Sequence, residues 1–130
     1  MLDIKQLSKR FTLNSPASKE AIALERAKIK IPQAYIEFLN LSNGLNTDGN
    51  LSLLEVEDLS SRNNDYELGE YLPDYIMIGD DGGGNAILMD MAGQIFENDM
   101  GSLDMVSMRF SCKSIEELLL TYDGKTLLER

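Results

Sequence analysis

At 130 residues, 43% of them hydrophobic and 26% charged, the chain is long enough for one domain with one core, and its composition is not that of a disordered segment. The net charge of −10 disfavours nucleic acid and anionic membranes as partners. The absence of histidine excludes Ser–His and Cys–His nucleophilic pairs, HExxH zinc sites and imidazole proton transfer.

The first dozen residues allow a short helix with Leu2, Leu7 and Phe11 as its apolar positions. They carry charges throughout and lack the apolar core of a secretory signal, so a cytoplasmic protein is expected. Cys112 is the single cysteine and is expected to be a core thiol. Ser15-Pro16 offers a helix start, with Ala17, Ala21 and Leu24 on one face, Ile22 and Glu25 beside it, and an end near Ala27. Pro32 opens a second helix in which Tyr35, Phe38, Leu39 and Ser42 follow i, i+3, i+4, i+7 spacing. Asn43-Gly44 is expected to close it, because both residues tolerate the left-handed conformation.

Residues 45–50 read as a loop and 51–56 as a strand. Residues 57–74 look least structured, with one short helix expected around Tyr66, Leu68, Tyr71 and Leu72. Tyr75–Phe96 then reads as strand, turn, strand, turn, strand, with turns at Gly82-Gly83-Gly84 and at Met91-Ala92-Gly93. Both faces of 86–89 are apolar, which marks that strand as central and covered on two sides. A further strand is expected over 105–110. Ser114 and Glu117 fit a capping box for a last helix, and 125–130 reads as a tail. Helices first, antiparallel strands next and a helix last predict an α+β domain with helices mainly on one side of the sheet and a core over about 15–121.

Charge is distributed unevenly. Residues 1–35 sum to +4, residues 36–108 to −14 with Arg62 the lone cation, and residues 109–130 balance. Such a middle region attracts basic partners, although the same charge also suits an acidic protein whose partner is not chosen by charge. Asp48, Glu57, Asp58, Asp65, Glu67, Glu70 and Asp74, with Tyr66 and Tyr71 as aromatic anchors among them, form the candidate binding surface. The glycine turn matches neither GxGxxG nor a Walker A loop, and its two aspartates would repel phosphate. Calcium on Asp80, Asp81 and Asn85 is chemically open, but an EF-hand beginning at Asp80 would need a glutamate where Met91 stands. A tight structural turn is the favoured role, and no cofactor or metal is expected. The methionines of the C-terminal half are expected to be adaptable core filler rather than an exposed binding face.

Two motifs together resemble the SUKH superfamily, the Smi/Knr-like proteins. One is Ile31-Pro32-Gln33-Ala34-Tyr35 through Phe38-Leu39 to Asn43-Gly44, with Glu25 upstream of it. The other is Ile78-Gly79, then Gly82-Gly83-Gly84-Asn85, then Ile87 to Asp90. Asn85 stands where many members have an acid, and Ile31 replaces a leucine. The resemblance implies a non-enzymatic binding module, of the kind that serves as a bacterial immunity protein against a secreted, often nuclease, toxin. The partner would then be a basic toxin domain, which the acidic middle suits. A regulatory or adaptor module for an endogenous protein is the second possibility, and an enzyme using carboxylates or a metal is the third.

Overall fold

A computed structural model describes residues 2–130. The glycine-turn meander is the middle of its sheet: β3 (Tyr75–Asp80), β4 (Asn85–Asp90) and β5 (Ile95–Asp99). Two short strands, β1 (Leu45–Asn46) and β2 (Ser52–Leu53), precede them, and β6 (Arg109–Cys112) follows. All neighbours are antiparallel and the strand order is the sequence order. Alternation along β4 separates two cores. Ile87 and Met89 join Ile76, Ile78 and Ile95 on one face, packed with Leu7, Ile22, Tyr35, Phe38 and Leu118. Ala86 and Leu88 join Met77 on the other, with Leu68, Leu72 and Leu103. The first face thus carries α1 (Ile4–Arg10), α2 (Lys19–Arg26), α3 (Gln33–Leu39) and a π-helical segment, Glu117–Thr121. The second carries little more than α5 (Leu68–Tyr71) and the loop after β5. This is the α+β arrangement that the element order predicts.

Several boundaries differ from expectation, each for a visible reason. Helix α2 begins at Lys19 rather than at Ser15-Pro16. Ser18 Oγ accepts from the Ala21 amide at 3.1 Å, while the Ser15 carbonyl is engaged by the Asn43 amide and the Ala17 amide donates to Leu39. The buried face of α2 is Ile22 and Glu25, which leaves Leu24 67% exposed. Helix α3 stops at Leu39, short of Asn43-Gly44, because the residues beyond it are committed elsewhere. Ser42 Oγ donates to the Gly44 carbonyl at 2.6 Å, and Asn43 Oδ1 accepts from the Val56 amide at 2.8 Å. Gly44 takes φ +76°, and a Cβ there would lie 2.8 Å from the Leu53 carbonyl oxygen, so the glycine serves strand entry rather than helix exit.

The stretch 57–74 is better ordered than its composition suggests. A 3-10 turn, Val56–Asp58, leads into α4 (Leu59–Asp65), and α5 follows. The strand expected over 105–110 starts only at Arg109, because Asp104 Oδ1 accepts from the Ser107 amide at 2.8 Å and turns the preceding residues. Ser114 caps the last helix through the Glu117 amide at 3.0 Å, but the Glu117 carboxylate reaches Lys113 instead of the cap residue itself. The C-terminal residues are not a loose tail. Thr126 and Glu129 form a capping box around Leu127–Glu129, and Arg130 donates to the Ser111 carbonyl and hydroxyl.

Candidate functional site

The motif residues that carry the resemblance are framework residues. Pro32 caps α3, its carbonyl accepting from the Tyr35 and Ile36 amides. Tyr35 is fully buried beside Phe38, and its hydroxyl donates to the Leu54 carbonyl at 2.6 Å. Burial pushes that hydroxyl well above the usual tyrosine range, which suits a permanent donor. Glu25, 4% exposed, accepts from the Ser60 amide at 3.0 Å and thereby caps α4 from another helix. Its other oxygen lies 3.5 Å from Lys28.

The glycine turn is closed on itself. Gly82 and Gly84 take positive φ, whereas Gly83 does not. Asp81 Oδ1 accepts from the Gly83 and Asn85 amides, and its Oδ2 from the Asn85 side chain at 2.9 Å. Asp80 is spent on the Gly82 amide and on Arg62 at 3.3 Å. Burial pushes the Asp81 carboxyl up, but the hydrogen bonds from Asn85 and Gly83 outweigh it and hold the group below its ordinary value of 3.8. A folded-state pKa below the unfolded one gives stabilisation that is present above the unfolded value and lost as pH falls through the folded one. Asp81→Asn is therefore expected to lower unfolding free energy by about 1–2 kcal/mol at pH 7. Denaturant titrations should show that gap to wild type narrowing below about pH 4. A gap independent of pH would remove the carboxylate from this role.

Behind the turn, Arg109 donates to Asn85 Oδ1 at 2.9 Å. Glu97, opposite Arg109 on β5, is fully buried and accepts from the Leu127 amide at 2.9 Å. Burial pushes its carboxyl up, against the opposing pull of that amide, with Asp81 adding to the rise and Arg109 and Arg130 resisting it. Cys112 is buried and its thiol is likewise pushed up by burial, the opposite of an activated nucleophile. Among the described residues, no three carboxylate or thiol side chains converge as a metal ion would require.

The candidate binding residues fall into three groups. Asp65, Tyr66, Glu67, Glu70, Tyr71 and Asp74 lie together on and beside α4 and α5. Tyr66 is half-buried against the second core, Tyr71 is 54% exposed, and Glu67 holds the left-handed bend between the helices at φ +55°. None of these four acids has an ion pair among the described residues, and Arg62 is committed to Asp80. Glu57 and Asp58 precede α4, where Glu57 accepts from the Asn43 side chain at 3.0 Å. Asp48 is elsewhere: it lines a cleft of about 390 Å³ with Arg10, Asp123, Lys125 and Glu129.

Sequence reasoning missed two features of this region. One is Asn63, which ties α4 to the sheet through both the amide and the carbonyl of Met77. The other is an aromatic row on the second sheet face. Tyr75 meets Phe96 edge-on at 5.3 Å, and Phe96 meets Phe110 at 5.6 Å. Strand alternation at Phe96 and Phe110 is the signal that could have shown it, had β6 been placed correctly.

No curated protein is significantly similar to the chain. The model of the SMI1 / KNR4 family (SUKH-1) matches residues 16–124, a span that includes the Pro32–Gly44 framework, the acidic helices and the whole sheet. On that match the chain belongs to the SMI1 / KNR4 family (SUKH-1).

Proposed function

We propose that this chain is a non-enzymatic protein-binding module, an immunity protein that neutralises a cognate nuclease-type toxin by presenting acidic surface to the toxin's basic face. The observation that carries it is the exposed, cation-free run of Asp65, Glu67, Glu70 and Asp74, set beside Tyr71 and fixed to the fold by α4 and α5. Carboxylates so placed mimic the charge of a nucleic acid and speed encounter with a basic protein, while a neighbouring aromatic ring slows its departure. Family membership supports the binding-module class.

The test is titration with the toxin domain encoded beside this gene, read by calorimetry and by protection of toxin-expressing cells. Saturable binding with protection is expected. Glu67→Lys with Glu70→Lys should slow association about tenfold at low ionic strength, and the effect should shrink as salt screens the exposed charges. Absence of both binding and protection would overturn the proposal. A complex indifferent to the double reversal would instead move its interface.

A further inference from the structure

The second face of the sheet is incompletely covered. Its aromatic row runs from half-buried Tyr75 through Phe96 to Phe110, which is 55% exposed on the last strand. The loop before that strand adds Met105 and Val106, 59% and 94% exposed. The loop lies over the same face, because Asn98 Nδ2 holds the Asp104 carbonyl at 2.7 Å and meets Met108 Sδ at 3.7 Å. Large apolar side chains gathered beside one another on a surface mark an interaction site more often than isolated ones do. Acids lie to either side of the strip: Asp104 on the loop, and Glu70 and Asp74 in and just after α5. All three are exposed and none has an ion pair among the described residues.

We infer that this strip is the anchor of a docking surface for a basic polypeptide segment carrying apolar side chains. It rests on the proposal that the chain binds a basic protein, and it names where that protein is held. The charge selects the occupant. A second copy is disfavoured, since a two-fold contact over the strip would bring the bordering acids of one copy, Asp104, Glu70 and Asp74, up to those of the other on a chain of net charge −10. Nucleic acid and anionic lipid are repelled by the same border. A basic segment meets the border with opposite charge and can place a leucine or an aromatic ring against Phe110 and Val106. That is the hydrophobic centre and polar rim of an energetically focused interface.

The test uses the full chain as bait for a random 16-residue peptide display library. Affinities of the selected peptides are then measured by fluorescence anisotropy. The expected peptides combine Lys or Arg with Leu, Phe, Tyr or Trp. They should bind Val106→Ser/Phe110→Ser at least tenfold more weakly, mainly through faster dissociation. Circular dichroism should show that variant folded, and Val106→Ser alone, at the most exposed position, keeps the test open if it is not. Glu70→Lys/Asp74→Lys should slow association in a salt-dependent way. Basic peptides that respond to the charge reversal but not to the serine variants would remove the aromatic anchor while leaving the acidic-surface proposal standing. No selected peptides, peptides without basic residues, or a wild-type dimer that Val106→Ser/Phe110→Ser makes monomeric would overturn the inference.

Discussion

Asn63→Leu is expected to cost about 3–4 kcal/mol of folding free energy, since each buried polar group left without a partner costs about 1–3 kcal/mol. The reason lies in the short reach of β2. It pairs with β3 only at Ser52↔Asp80 and Leu53↔Gly79, with one more bond from the Leu54 amide to the Ile78 carbonyl at 2.7 Å. Further along that edge a sheet neighbour is missing, and Asn63 stands in for it. Its Oδ1 accepts from the Met77 amide at 2.7 Å, and its Nδ2 donates to the Met77 carbonyl at 3.0 Å and to Leu59 at 2.9 Å. Leucine keeps the branching at Cγ but makes none of these bonds, so the buried Met77 backbone groups would be orphaned. Guanidinium titration should show the loss. Asn64→Leu, at the exposed neighbouring position, should change stability by less than about 0.5 kcal/mol. Equal effects from the two substitutions would mean that Asn63 does not hold the edge.

What could be read from the sequence and what could not differ in range. The meander was legible because its information is local: apolar strands of period two, separated by glycine-bearing turns, leave one assignment for Tyr75–Phe96. The two-sided burial of β4 followed from four consecutive apolar residues. Helix α4 was illegible because its sequence, LSSRNND, buries Leu59, Ser60 and Asn63, and two of those three are polar. Its stability comes from Glu25, 35 residues earlier, and from Met77, 14 residues later, neither of which marks a local pattern. The acids of the candidate surface were visible by count, yet their grouping was not. Asp48 lies in a cleft with the C-terminal residues, whereas Asp104 and the Phe96–Phe110 contact join the α5 side only through strand pairing and the fold of the intervening loop.

These tertiary ties bear on the proposed binding as well as on folding. Glu25 fixes the start of α4 and Asn63 fixes its middle, so the acids that follow project from a held element instead of a free loop. A partner of the proposed kind would then lose less affinity to ordering its target. Part of the polar interior is thus spent on placing a surface.

Gly79→Ala is expected to be the most damaging single-methyl change in the chain, lowering stability by about 3 kcal/mol or more, at the upper end of what overpacking costs. Gly79 is not in the left-handed region, so conformational freedom is not the issue. The issue is space. A Cβ at Gly79 would lie 2.1 Å from the Ser52 carbonyl oxygen, 3.1 Å from its carbon and 3.2 Å from the Leu53 Cα, all of them backbone atoms. The β3–β4 register shifts between Met77 and Gly79, where the bulge brings the strand close against β2. Relief would require β2 to withdraw, which would break its pairing with both β1 and β3 and uncover the buried Leu53 and Leu54. Two other glycines separate this cause from a general intolerance of alanine. A methyl at Gly69 in α5 would meet no packing neighbour within 4 Å, so alanine there should bring a gain of up to about 1 kcal/mol. Gly83, where the nearest such neighbour would be Asp81 Oδ1 at 3.6 Å, should accept alanine nearly neutrally. Urea midpoints for the three variants decide the matter. A Gly79→Ala protein within about 1 kcal/mol of wild type would mean that β2 does not press on the meander as closely as the geometry requires.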